Sequence, residues 1–284
     1  MPAERQSIVK KINMSKRQKI ISIIKKDLNY TVQNNAFCFL SGDRKFQDTA
    51  GSGLLAKMQD ALKQYGKLYY FLLRTFAPVY GEKSYKKKIG KVLEGYDKSN
   101  IILNLGSGPD YFRNRTDIIN VDIFAFDEVD IVADCETLPI EYDTVDMIIN
   151  VALLEHIKNP EAAVHEMYRI LKPQGGAICY LPFMVPFHAA PDDYQRWTLA
   201  GVKRLFREFS HIEVGIAAGP TSGMLWVFQE WVAILLSFGS RKLHDIVFII
   251  LMLITFPLKY IDVLIAKFPD SEKIASGFYV VAKK

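Results

Sequence analysis

The rhythm of apolar and polar positions changes three times along the chain. Residues 1–50 are mixed, polar and weakly periodic, with AFCFLSGDRKF suggesting one short strand and a turn at Ser41-Gly42-Asp43. From Leu54 to Tyr80 apolar residues recur at helical spacing, which predicts an amphipathic helix ending near Pro78, and SYKKKIGKVLEGY predicts a second helix. After residue 98 short apolar runs alternate with helical patterns. The runs at 101–105, 118–122, 130–133, 145–151, 176–182, 211–217 and 277–283 predict strands, and 160–171 and 198–208 predict helices. Strands that are almost wholly apolar, joined by helical crossovers, belong in a parallel sheet covered on both faces.

The third change is a strongly apolar insert, roughly 220–270, between the last two of these strands. It holds two apolar stretches, 224–238 and 246–258, joined by the polar turn GSRKLHD. Neither reaches the roughly 20 apolar residues that cross a bilayer as a helix. Gln229 and Glu230 break the first; Asp245 and Lys259 bound the second, which carries Pro257. The stretches could pack on the helix at 54–77 and roof a site. Trp226, Trp231 and the flanking basic residues favour contact with a membrane surface without crossing it.

Composition narrows the setting. Half of the 284 residues are apolar and the net charge is +5, enough for a sizeable core. The charge is uneven: Arg5 to Lys26 includes Lys10, Lys11, Lys16, Arg17, Lys19 and Lys25 and no acid. Such an arm could meet anionic lipid or nucleic acid, or be a solvated terminus. The sequence starts without the apolar run of a signal peptide, so a cytoplasmic location is expected. Cys38, Cys135 and Cys179 are far apart and form no CxxC or Cys/His cluster, so no metal site is expected.

Candidate chemistry gathers at strand ends. ILNLGSGPD reads as strand, glycine turn and helix start, with Gly106 and Gly108 allowing close approach of backbone to a ligand. Asp122 ends the next strand, where a carboxylate can accept hydrogen bonds from both ribose hydroxyls of an adenosine. Asp134 ends the third, within reach of an adenine amino group. A nicotinamide dehydrogenase would need a third glycine where Tyr111 stands.

The set NLGSGP, NVDI, VADCETLP, YDTVDMII, LLEHI, EMYRILKPQGG and YLPF, over residues 98–217 and 276–284, resembles the class I S-adenosylmethionine-dependent methyltransferases of the type-11 kind. The resemblance implies an α/β fold: a Rossmann-like, seven-stranded, mostly parallel sheet with helices on both faces. Around a core at 98–219 it leaves an N-terminal, mostly helical extension (1–97), an apolar helical insert (220–274) and a final core strand (275–284). It implies S-adenosyl-L-methionine as cofactor. Gly106, Ser107 and Gly108 would line its methionine part, Asp122 and Ile123 its ribose, Asp134 and Cys135 its adenine, and Asn150 the floor near the sulfonium. Two positions depart from many relatives: Asn104 replaces an acid and Asp110 a third glycine. Asn104 remains a candidate contact through water. Glu155 and His156 would pack near the cofactor, chiefly as support.

The acceptor side is expected in PFMVPFHAAPDDYQRWT, after the fifth predicted strand. His188 has a pKa class suited to a general base, with Asp192 or Asp193 orienting it or replacing it. Tyr194, Arg196 and Trp197 are candidates for binding the acceptor, Arg196 through an anionic group. A structural reading stands beside this one: Asp193 and Arg196 as an ion pair, Tyr194 and Trp197 as core, Thr198 as a helix N-cap. HAAPDDYQRWT also resembles methyltransferases of cell-surface polysaccharide or lipid-linked glycan synthesis. The implied activity is O-methylation of a small-molecule, glycan or lipid-linked acceptor, with N-methylation second. The alternative is a non-catalytic, membrane-peripheral binding protein that keeps the cofactor fold. No aromatic-interleaved basic platform favours nucleic acid.

Overall fold

The computed structural model of the chain describes residues 14–40, 71–72, 75–79, 81–109, 112, 115–189 and 191–284. The turn at 41–43, most of the helix expected at 54–80, and the positions of Asp110 and Tyr111 lie outside them. Helix α1 (Met14–Ile23) precedes the hairpin β1 (Thr31–Gln33) and β2 (Ala36–Cys38). Helix α2 (Gly81–Leu93) leads into β3 (Ile102–Leu105), β4 (Ile119–Asp122), β5 (Ile131–Val132) and β6 (Val145–Val151). A single helical turn at Leu154–His156 follows, then α3 (Pro160–Ile170), β7 (Leu171–Pro182), α4 (Leu199–Leu205) and β8 (His211–Ala218). The insert forms α5 (Pro220–Ser237) and α6 (Arg241–Thr255) before the last strand, β9 (Gly277–Lys283).

The sheet runs β1-β2-β5-β4-β3-β6-β7-β9-β8. From β2 to β7 neighbours are parallel, whereas β9 lies antiparallel between β7 and β8. The seven expected strands are present, and the sheet has nine because β1 and β2 extend it beside β5. AFCF anticipates β2, but TVQ is exposed at all three positions and has Val32 as its single apolar residue.

Alternate residues of each strand face two cores. Leu103, Leu105, Ile119, Val121, Ile148 and Cys179 pack with Ile20 and Ile23 of α1 and with Met167 of α3. Ile102, Met147, Ile149 and Ile178 pack with Tyr85, Ile89 and Leu93 of α2. Local signals set the helix starts: Asn159 accepts from Ala162 N–H with Pro160 in the first turn, and Thr198 caps α4 through Gly201 N–H. Part of the basic arm is used internally, since Lys16 pairs with Asp130 at 2.5 Å and Lys19 donates to the Asn100 carbonyl.

The insert is a helical hairpin whose ends meet: Ser276 N–H donates to the carbonyls of Ala218 and Gly219. Asp262 accepts from the backbone N–H groups of Thr221 and Ser222 and from Ser222 Oγ, filling the open N-terminus of α5. A Cβ on Gly219 would collide with the Asp262 carboxylate, so glycine is required there. Gln229 and Glu230, read in the sequence as breaks, join the two helices. Gln229 donates to Thr255 Oγ1 at 2.7 Å, and Glu230 lies 3.1 Å from His244 Nε2. The expectation that 246–258 is too short to cross a membrane is corrected: helical structure is continuous over Arg241–Ile265, 25 residues, long and apolar enough by length and composition. The helix overruns its apolar pattern because Lys259 and Asp262 find partners inside the protein. Lys259 is fully buried and donates to the Ala77 carbonyl, beside an edge-to-face contact of Phe76 with Phe256.

Candidate active site

The chain runs from β3 outward to β4 and β5, then returns to the other side of β3 with β6, so strand order reverses between β3 and β6. Open α/β sheets bind ligands beyond the carboxyl ends of strands at such a point. The turn after β3 is fixed there. Gly106 and Gly108 both have positive φ (67° and 56°), which L side chains adopt at a cost. A Cβ on Gly106 would strike Leu153, whereas one on Gly108 would meet open space, as a ligand-facing backbone requires. Gly106 and Ser107 N–H both donate to the Val121 carbonyl, and Ser107 Oγ lies 3.3 Å from the Gly108 carbonyl.

Asp122 closes this cradle. Its Oδ2 accepts from Gly108 N–H at 2.8 Å and its Oδ1 from Phe124 N–H at 2.9 Å. Burial raises its pKa, and the hydrogen bonds from the backbone of residues 108, 123 and 124 only partly oppose this. Ile123 follows at half-buried depth. Asn150 lies opposite Leu105 across the β3–β6 pair and donates to the Leu105 carbonyl through Nδ2. Its Oδ1 is buried with no hydrogen-bond partner among the described residues. A buried oxygen of this kind is met by a donor from water or from a ligand. Asn104 turns away, its Nδ2 bonded to Asn120 Oδ1 at 3.1 Å.

At the end of β5, Asp134 Oδ1 accepts from Glu136 N–H, and Asp134 borders a pocket of about 310 Å³. Lys25, Leu28, Asn29 and Phe39 line the same pocket. Sequence reasoning missed these N-terminal residues because their spacing carries no motif; only the β2–β5 pairing brings them here. Cys135 packs against the main core, and burial pushes its thiol well above the ordinary range.

The loop after β7 folds back on the turn after β6. Tyr194 N–H donates to the Glu155 carbonyl and Gln195 Nε2 to the Ile157 carbonyl. Asp193 is engaged within the loop: it accepts from His188 N–H and from both terminal nitrogens of Arg196. Burial alone would raise its pKa, but Arg196 and His188 hold it below the usual carboxylate range. Arg196 also donates to the carbonyls of Val185, Pro186 and Gln195, so its guanidinium is committed to the loop. Trp197 is 8% exposed and lies in the core. Asp192 and Tyr194 are exposed and bonded to each other through Tyr194 OH and Asp192 Oδ2.

Three side chains meet beneath this loop. Glu155 is fully buried, and neither of its carboxylate oxygens has a hydrogen-bond partner among the described residues. His156 Nε2 and His188 Nε2 each lie 3.8 Å from Glu155 Oε1. That is beyond hydrogen-bond reach, so the carboxylate acts on the rings as a charge. Burial lowers the His188 pKa, but Glu155, the Pro186 carbonyl and Asp193 outweigh it, and the net shift is upward. His188 is also 5.8 Å, ring to ring, from Trp226 of α5. The sequence assigned catalysis to His188 and support to Glu155 and His156; the fold gathers all three at one point.

Residues 112–179 match the family model described as a methyltransferase domain, a span that holds Asp122, Asp134, Asn150 and Glu155. A search of the curated proteins found no match. Among solved structures, the chain is similar to phosphoethanolamine N-methyltransferase 2 of Haemonchus contortus in complex with S-adenosyl-L-methionine. Identity is 14%, coverage 70% of this chain and 52% of that one, and the TM-score 0.44. It is also similar to an S-adenosylmethionine-dependent methyltransferase from Thermotoga maritima, with 14% identity, 81% and 100% coverage and a TM-score of 0.45. The chain thus spans about half the length of the first of these. Open space at Gly108, the strand-end carboxylate of Asp122 and the orphaned Asn150 oxygen fit an adenosyl cofactor bearing an amino acid tail. Residues 112–179 thus match a methyltransferase domain, and the site built around them fits S-adenosylmethionine as cofactor.

Proposed function

We propose that the chain methylates an oxygen of a lipid-linked glycan acceptor, working from the cytoplasmic face of a membrane on which its helical hairpin rests. The observation that carries the acceptor class is an open apolar pocket of about 310 Å³ between the loop after β7 and α5. Met184, Met224, Val227, Phe228, Trp231 and Ile274 line it. Around it α5 and α6 leave Ile234, Leu235, Ile250 and Ile254 exposed, a cluster of apolar side chains of the kind that marks an interaction surface. Such a wall suits the lipid of a lipid-linked acceptor better than the hydroxyls of a glycan alone.

When bound, S-adenosylmethionine supplies an electrophilic methyl group on a sulfonium. Asp122 and the glycine turn orient it, and Asn150 accepts from its amino group. The loop pinned by Asp193 and Arg196 holds the acceptor in line, which is most of what this reaction requires of a protein. The acceptor proton leaves toward the cluster of His188, His156 and Glu155, with Asp192 and Tyr194 at the solvent edge. The test combines transfer from labelled cofactor into membrane lipid, glycan and RNA fractions with flotation on anionic liposomes. Label in lipid-extractable glycan and co-flotation are expected, the latter lost when 224–258 is replaced by a short polar turn. Label confined to RNA or free sugars, or no flotation of the intact chain, would overturn the acceptor reading.

A further inference from the structure

The arrangement of Glu155, His156 and His188 points to a site for a divalent transition-metal ion of the zinc class, which we propose as part of this chain's acceptor side. The ligand atoms, one carboxylate oxygen and two imidazole nitrogens, all lie within 4.8 Å of one another. This donor set, with the remaining positions open, is one that zinc and iron(II) take in catalytic sites.

The tautomers support it. His156 Nδ1 is 2.6 Å from the Asp192 carbonyl and His188 Nδ1 is 3.0 Å from the Pro186 carbonyl. A carbonyl can only accept, so each ring carries a proton on Nδ1 and presents Nε2 to the gap, where a metal ion would displace any proton held there. Metal-bound histidines are held in this way, with the outer nitrogen donating to a carbonyl. Arg196 Nη2, also 3.2 Å from His188 Nδ1, sends its hydrogen bonds to Pro186 and Asp193 instead.

Both inward nitrogens converge on a carboxylate that is fully buried and makes no hydrogen bond among the described residues. Three potential ligand atoms face one gap that a proton or a metal ion can fill, and an uncompensated buried carboxylate is costly. The distances leave room for one. Ligands about 2.1 Å from a tetrahedral ion are about 3.4 Å apart; both Nε2 atoms are 3.8 Å from Glu155 Oε1. Those two separations exceed the ideal by a few tenths of an ångström, and all three atoms lie within 4.8 Å of one another. The loop can take up the difference, because His188 sits on irregular backbone and about a third of its side chain is exposed.

The ion would act as a Lewis acid. With the ion bound, His156, His188 and Glu155 serve as its ligands rather than as proton acceptors, so an acceptor hydroxyl at an open position gives its proton to solvent as its oxygen forms the bond to the methyl carbon. The sulfur–methyl bond then breaks, leaving its electron pair on sulfur as S-adenosylhomocysteine. No oxidant or reductant is needed. This deepens the methyltransferase reading and rests on it only for the ion's role, not for its binding.

The test uses the full chain, stripped with a chelator and titrated with Co²⁺ as a coloured zinc analogue and with Zn²⁺ by calorimetry. Wild type should take up about one equivalent and develop a Co²⁺ absorption band. His188→Ala and Glu155→Gln should each weaken binding by at least about tenfold, with S-adenosylhomocysteine affinity within about twofold of wild type. Should Glu155→Gln fail to fold, the partly exposed His188→Ala carries the comparison. A wild type without a band, or equal metal affinity in wild type and His188→Ala, overturns the site. Metal bound normally with no methyl transfer to any acceptor would instead count against the proposed function and leave the site standing.

Discussion

Replacing Asp122 by asparagine changes one atom and should be felt in two places. The carboxylate already holds Gly108 N–H and Phe124 N–H, one on each oxygen, and each oxygen keeps a further lone pair for a ribose hydroxyl. In the Asp122→Asn variant one oxygen becomes an NH₂ facing a backbone donor. Wherever the amide points, one charge-assisted bond is lost and two donors oppose each other. A hydrogen bond to a charged group is worth about 1.5–3 kcal/mol, which corresponds to about 10- to 150-fold in affinity if it falls wholly on the cofactor. Any share falling on the turn appears as lower stability, at about 2–4 °C per kcal/mol for a protein of this size. Calorimetry with S-adenosylhomocysteine and a thermal melt separate the two. A variant that binds and melts like wild type would remove Asp122 from the cofactor site.

Three further outcomes follow from the geometry. Gly106→Ala forces a side chain into left-handed backbone at about 1–2 kcal/mol and drives its Cβ to 2.6 Å from Leu153 Cδ1; it should lower both melting temperature and cofactor affinity, and unchanged values would show a turn free to relax. Asp262→Ala leaves the N–H groups of Thr221 and Ser222 unpaired inside the protein, which should cost about 1–3 kcal/mol, read as faster proteolysis within 220–265. Glu166 is raised by burial but held below its ordinary pKa by Arg169 and by Leu138 N–H. Its folded pKa is therefore the lower one, so its contribution is complete above the unfolded value, near pH 4.3, and is lost as pH falls through the folded value. Glu166→Gln should flatten the acid limb of stability against pH; an identical limb would refute the pairing.

Much of this was legible in the chain, because the parallel strands and glycine turn rest on local rules. A strand buried on both faces draws mainly on apolar residues, and a turn at positive φ favours glycine. What escaped the sequence depends on partners remote in the chain. The exposed TVQ strand exists only because β2 docks on β5. Lys259 and Asp262 end an apolar pattern yet continue a helix, since the Ala77 carbonyl and the start of α5 receive them. The cluster around Glu155 joins a turn after β6 to a loop more than thirty residues later, and the Asp192 carbonyl that holds His156 lies on that loop. Arg196 looked like an anion receptor by residue type; its donors go to its own loop.

The hydrogen bonds from Ser276 N–H to Ala218 and Gly219 mean that the hairpin leaves and re-enters the sheet at a single point. The sheet is indifferent to what hangs there, because lengthening a closed loop raises its entropy cost only logarithmically, by about 0.6 kcal/mol per doubling. The cofactor cradle sits at β3 and β6, with β7 and β9 separating it from β8. Such a layout lets the hairpin change in length with little effect on the strands that hold the cradle, while its contacts to the loop after β7, such as Trp226 beside His188, would change with it.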